Sequence, residues 1–176
     1  QLKESKKSIK KNHKKIKIGK VNKLNTGNDI TILTNSYSTI EFFKCYNFLK
    51  DNKVSFDHLD LLSIKPLDIN SIIKSVRKTG KLLIFDNSSH EICSIGSEIL
   101  SKIIQVDKSI FSSEPVILSL PDIQQPTSFY LTKDYFVSKK KLLSTIFKLV
   151  NKKLNLNEIY ENKFHDIVED KKIFKY

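Results

Sequence analysis

Four histidines and two cysteines are the side chains from which this 176-residue chain could build acid–base, metal or thiol chemistry. His90 is the best placed for acid–base work. Asp86 precedes it and Glu91 follows it directly, and an imidazole near carboxylates can hold or pass a proton around neutral pH. The same three residues could instead form a loop that makes hydrogen bonds or a subunit contact. His13 sits in a lysine-rich tail and reads as solvated, His58 reads as a hydrogen-bonded residue within a strand, and His165 shares a charged helical face with Asp166 and Glu169. Cys45 and Cys93 form no C-x-x-C pair and have no histidine at metal-ligand spacing, which points to free thiols in a reducing compartment, the cytoplasm or an organelle matrix. Cys45 falls on one helical stripe with Phe42, Tyr46 and Leu49, the setting of a small core residue rather than a nucleophile.

Several chemistries lack their signature. There is no H-E-x-x-H and no G-x-S-x-G, and the chain has only four glycines. A dinucleotide site needs a glycine-rich turn after the first strand so that backbone N–H groups can approach a pyrophosphate. Here that turn is Asn35-Ser36-Tyr37-Ser38.

Charge adds a second exclusion. The net charge is +12, but residues 1–24 hold most of the excess, and the rest of the chain is nearly balanced. A single arginine, Arg77, stands among the lysines, and arginine is the side chain suited to bidentate phosphate and guanine contacts. The expectation is a solvated leader over residues 1–24 and no nucleic-acid partner. The longest apolar run, Leu82 to Phe85, is far too short to cross a membrane. With no methionine at any position, the chain reads as a processed product or a piece of something longer.

Elements that could position these residues alternate regularly. Ile16 to Leu24 is expected to form a short strand. Asp29 to Thr34 reads as another, followed by a helix to about Asp51 that opens on a Ser38–Glu41 capping box. Val54 to Leu62 is a strand; Pro66 and Asp68 start a helix whose buried face is Ile69, Ile72, Ile73 and Val76, ended by Gly80. Lys81 to Asp86 reads as a central strand, residues 87–94 as a polar loop, and Ile95 to Gln105 as a helix with Ile99, Leu100, Ile103 and Ile104 inward. Val116 to Leu120 is a strand, residues 121–128 a proline-punctuated loop, and Ser138 begins an amphipathic helix through Leu142, Leu143, Ile146, Phe147 and Val150. Such alternation predicts an α/β fold, a three-layer α/β/α sandwich on a mostly parallel sheet of about five strands. Ligands of such sheets sit beyond the carboxyl ends of the strands, here at loops 35–39, 62–67, 86–94 and 119–128. Residues 25–153 form the domain, and 154–176 a charged extension with helical spacing.

The segments DITILTNSYST, LDLLSIKPLD, SVRKTGKLLIFD, IGSEI and LPDIQQPTS occur in this order. Together they resemble the C-terminal domain of the transketolase superfamily, over roughly residues 17–150, and most closely that of the beta subunit of thiamine-diphosphate-dependent 2-oxo acid dehydrogenases. Lys65 to Asp68, K-P-L-D, is shared across the superfamily. V-R-K-T-G at Val76 to Gly80 and the P-D-x-x-x-P-T-S of Pro121 to Ser128 lean towards the dehydrogenases. The family's glycine-rich loop after the third strand is absent: only Gly96, Glu98 and Ile99 match, and Asp86 stands near the family's first glutamate. The acidic residue that follows the family's proline-rich loop is replaced around Leu131 and Thr132.

The resemblance implies a domain without a cofactor site of its own, thiamine diphosphate and Mg being held by two preceding domains of the full enzyme. This chain has no G-D-G motif of the kind that would hold that magnesium. Expected partners are its own upstream domains, a second beta or an alpha subunit, and the dihydrolipoyl acyltransferase core. Candidate interface or loop residues are Asp86, His90, Glu91, Glu98, Asp122 and Pro126. The alternatives are the same domain of a transketolase or a deoxyxylulose-phosphate synthase, and a free-standing flavodoxin-like binding module.

Overall fold

The computed structural model describes residues 17–90, 92–132 and 135–154. The predicted leader up to residue 16, the extension from 155, and Glu91 lie outside the described residues. The sheet has five strands, β1 (Asn22–Asn25), β2 (Ile30–Asn35), β3 (Phe56–Leu61), β4 (Leu82–His90) and β5 (Val116–Leu120), in the order β1-β3-β2-β4-β5. Strands β2 to β5 run parallel, and β1 pairs antiparallel with β3 at one edge. All residues of β2 and β3 are buried, as strands covered on both faces must be. The α/β expectation therefore holds, and the Ile16–Leu24 strand shortens to the edge piece β1.

Two cores flank the sheet. Ile30, Ile32, Phe56 and Phe85 pack under α1 (Ser36–Phe43), α2 (Tyr46–Asp51) and α6 (Lys139–Leu149). Leu33, Leu59, Leu82 and Ile84 pack under α3 (Ile69–Thr79) and α4 (Ile95–Asp107). A short helix α5 (Phe129–Thr132) lies between β5 and α6. Gly80 ends α3 with φ 68° and returns its N–H to the Val76 carbonyl at 2.7 Å, a left-handed turn that glycine enters without steric cost. Ser138 caps α6 by accepting the Lys141 N–H at 3.2 Å.

The structure corrects five expectations. The helix after β2 starts at Ser36, not at a Ser38–Glu41 capping box: Asn35 occupies the cap without a side-chain bond, and the Ser38 hydroxyl accepts the Asn87 N–H instead. That helix is also broken in two. Lys44 and Cys45 donate to carbonyls three residues back, a tight turn that swings Tyr46 towards β3. Pro66 lies outside α3, whose cap is the Asp68 carboxylate as expected, accepting from the Ser71 N–H and, at 2.8 Å, from its hydroxyl. In α4, Gly96, Ile99 and Ile103 face the sheet, while Ile104 turns to solvent at 46% exposure. Residues 87–90 are strand rather than loop, since β4 continues past an irregularity at Asp86 to pair His90 with Leu120.

Candidate functional site

Parallel strands send their carboxyl ends to one side of the sheet, and the order reverses between β2 and β4, where chains depart to opposite faces. That switch point is where open α/β sheets bind ligands. The side chains gathered there bond to one another. Ser38 Oγ accepts the Asn87 N–H at 2.7 Å, and Asn87 Oδ1 accepts the Val137 N–H at 2.9 Å. Asp86, 1% exposed, accepts from the Ser88 N–H at 3.1 Å, from the Ser88 hydroxyl at 2.6 Å and from the Ser89 hydroxyl.

His90 is exposed and shares a 3.0 Å hydrogen bond with the Tyr135 phenol. Asp86 and His90 hold two separate sets of bonds, because Ser88 and Ser89 fold back onto the carboxylate before the strand reaches the histidine. Glu98 lies in the first turn of α4, paired with Lys102 at 3.0 Å. Asp122 is exposed and Pro126 half-buried in the loop after β5. Asp86, His90 and Glu98 thus each bond to residues outside the candidate set, and Glu91 is outside the described residues.

Each of the four glycines is packed against the chain itself. A Cβ at Gly19 would meet the Pro66 ring at 2.8 Å, at Gly27 the Phe56 backbone at 2.2 Å, at Gly80 the Ser112 hydroxyl at 2.6 Å, and at Gly96 Ile117 at 3.1 Å. The space beside each glycine is filled from within the chain. Among the described residues no group of three His, Cys, Asp or Glu side chains could hold a metal ion, and no helix is long and apolar enough to cross a membrane.

Exposed apolar side chains follow each of the parallel strands, among polar ones such as His90 and Asp122. Tyr37 and Ile40 emerge after β2, Leu62 (48% exposed) and Ile64 (54%) after β3, Ile92 after β4, and Ile123, Tyr130 and Leu131 after β5. Ile18 precedes β1, whose antiparallel course puts it at the same end. Only Ile104 and Val106 of the exposed large apolar side chains described lie elsewhere, on α4. Exposed apolar residues that gather into one patch mark contact surfaces, whereas scattered ones carry no such meaning.

Two polar clusters escaped the sequence reading. His58, buried, bonds Thr34 Oγ1 through Nε2 at 2.7 Å and the Tyr46 phenol through Nδ1 at 2.5 Å, and burial pulls its pKa down to about 3. Thr34 Oγ1 bonds Thr39 Oγ1 at 2.8 Å, and Thr39 donates to Asp60 Oδ1 at 2.7 Å. Asp57, also in β3 and with no exposed surface, forms ion pairs with Lys78 at 2.8 Å and Lys23 at 3.0 Å and accepts from the Ser75 hydroxyl at 2.6 Å. Burial raises its pKa, but these bonds together outweigh burial and hold it below the usual carboxylate range. The polar residues inside otherwise apolar strand segments were the available signal. Their partners lie on other elements and could not be read from spacing.

Comparison with known proteins agrees with this architecture. The chain is 28% identical over 141 residues to the pyruvate dehydrogenase E1 component subunit beta of Rickettsia bellii, covering 80% of this chain and 43% of that protein. It is 31% identical over 139 residues to the protein of the same name from Porphyra purpurea, covering 77% and 41%. For Mesostigma viride the identity is 30% over 128 residues, covering 73% and 39%. The chain therefore spans about two fifths of the length of the curated relatives it matches. A solved structure, "Split gene transketolase, inactive beta4 tetramer", superposes with a TM-score of 0.64 at 20% identity, over 79% of this chain and 45% of that one, a likeness of fold. The family model for the transketolase C-terminal domain matches residues 19–142, a span that carries all five strands and the core under α3 and α4, and on that match the chain belongs to the transketolase C-terminal domain family.

Proposed function

We propose that this domain is the C-terminal assembly and docking part of a beta-type subunit of a thiamine-diphosphate-dependent 2-oxo acid dehydrogenase, of pyruvate or branched-chain type, with no cofactor site of its own. The observation that carries this reading is the contrast at the carboxyl end of the sheet. Several polar side chains there close on one another, and apolar side chains such as Leu62, Ile64, Ile92 and Ile123 stand exposed among the polar residues of the loops. A surface of that composition is suited to another protein face rather than to a phosphate-bearing coenzyme. The filled glycine positions support the same view. Thiamine diphosphate and its Mg would be held by other domains of the enzyme, so no chemical step is assigned to this chain.

The partners that fit are the upstream domains of the same polypeptide, a second beta-type or an alpha-type subunit, and a dihydrolipoyl acyltransferase core. A specific interface of standard size buries about 1,200–2,000 Å². The dehydrogenase parent is favoured over a transketolase parent by the names of the relatives that match most of this chain. Asp86, His90, Glu98, Asp122 and Pro126 are then residues beside an interface rather than catalytic groups. The unpaired Cys45 and Cys93 suit a reducing compartment.

A thermal melt of the 176-residue chain with thiamine diphosphate and Mg²⁺ tests the absence of a cofactor site. A ligand that binds only the folded state at about one hundred times its Kd stabilises it by about 2.7 kcal/mol. No shift in Tm up to millimolar ligand is expected, and a saturable rise would overturn the reading.

A further inference from the structure

Five side chains from four elements form one line of hydrogen bonds: Tyr46 of α2, His58 of β3, Thr34 of β2, Thr39 of α1 and Asp60 of β3. A hydroxyl has one proton to give, and that fixes the direction of every bond. Thr39 gives its proton to the Asp60 carboxylate, so it must accept from Thr34. Thr34 has then spent its own proton and must accept from His58 Nε2. The ring is buried and neutral, so the proton on Nε2 leaves a lone pair on Nδ1, which accepts from Tyr46.

We propose that Asp60 selects which nitrogen of His58 carries the proton, through the two threonines, and that protonation of Asp60 reverses the line. A neutral Asp60 would donate to Thr39, Thr39 to Thr34, and Thr34 to a bare Nε2, moving the ring proton to Nδ1. The change takes up one proton overall, on the carboxyl group; His58 exchanges one ring proton for another and stays neutral. Tyr46 then faces an N–H where it had faced a lone pair, so a proton gained at the strand end is felt on α2. Bonds in such a line polarise one another, which favours one direction or the other over mixtures.

Nearby charges are committed elsewhere. On β1, Lys23 pairs with Asp57, while the Asn22 side chain bonds Asp60. On α1, Glu41 pairs with Lys44; ahead of β1, Lys20 pairs with Asp68. On α2, Lys50 lies over the outer side of the Tyr46 ring, 5.8 Å from its centre, and β2 brings only Thr34. Desolvation of Asp60 outweighs its hydrogen bonds from Thr39 and Asn22 and raises its pKa above the usual carboxylate value, which moves the transition towards milder acid.

Long-range ¹H–¹⁵N correlation spectra of the ¹⁵N-histidine-labelled 176-residue chain read the tautomer directly. His58 should carry its proton on Nε2 at pH 7.5, and its two ¹⁵N shifts should exchange places on acidification, with the midpoint of the Asp60 carboxyl carbon titration. Thr39→Val should abolish the pH dependence, and Thr39→Ser, which keeps the hydroxyl, should retain it. If Thr39→Val does not fold, coincidence of the two midpoints in the native chain decides. A proton on Nδ1 at pH 7.5, or a tautomer unchanged while Asp60 titrates, would overturn the proposal. The inference concerns this chain alone and holds whatever partner covers its apolar end.

Discussion

Ser38 and Asn87, 49 residues apart, meet in a buried hydrogen bond of 2.7 Å from the Asn87 N–H to the Ser38 hydroxyl. This bond ties the first turn of α1 to β4. Removing the hydroxyl would leave a buried N–H unpaired, which costs about 1–3 kcal/mol. Ser38→Ala should therefore lower Tm by about 2–4 °C for each kcal/mol lost, measured by calorimetry. An unchanged Tm would mean that the bond carries no weight.

The two thiols should differ sharply in reactivity. Cys45 is fully buried, and burial first of all pushes its pKa up to about 12, whereas Cys93 is exposed. A thiolate is the reactive species. Under native conditions a disulfide reagent should label one thiol per chain, at Cys93, and the second only on unfolding. Rapid double labelling of the native chain would contradict the core placement of Cys45.

Acid should act through Asp57. Its folded pKa lies below the ordinary value, so its contribution is present above the unfolded value of about 4 and is lost as pH falls below that value and through the lower folded one. Asp57→Asn cannot contribute in this way. Denaturant midpoints between pH 6 and pH 3 should fall less steeply for the variant than for the native chain. Parallel curves would show that the Lys23 and Lys78 pairs add nothing.

Gly27 is hemmed in by backbone rather than by flexible side chains: a Cβ there would lie 2.2 Å from the Phe56 nitrogen. Gly27→Ala must push β3 aside, and strain at such a position places the change in the exceptional class of about 4 kcal/mol or more. Gly96→Ala meets only the ends of Ile117 and Ile84, at 3.1 and 3.2 Å, and should cost less. Equal losses in equilibrium unfolding of the two variants would contradict the packing described.

Elements governed by local patterns could be read from the sequence. The Ile72, Ile73 and Val76 face of α3, its Gly80 stop and the Ser138 cap of α6 all depend on neighbours within a turn or two. The misreadings came from distant partners. Ser38 and Glu41 have capping-box spacing, but Asn87 takes the serine hydroxyl. Residues 87–90 look like a polar loop, but β5 offers its edge and draws His90 into the ladder. His58 was legible as a bonded strand residue, while the line through Thr34 and Thr39 to Asp60 joins segments that only the sheet order brings together.

The apolar end of the sheet carries the account, and charging it tests that most directly. Leu62 and Ile123 are 48% and 59% exposed, so Leu62→Asp with Ile123→Asp should change chain stability by no more than about 0.5 kcal/mol each, as surface substitutions away from special features do. Under the proposed function, sedimentation velocity of a full-length beta-type polypeptide carrying this domain with an alpha-type partner, native against doubly substituted, is the decisive measurement. The account predicts assembly for the native protein and free subunits for the variant at the same concentration. Equal assembly of the two would contradict it.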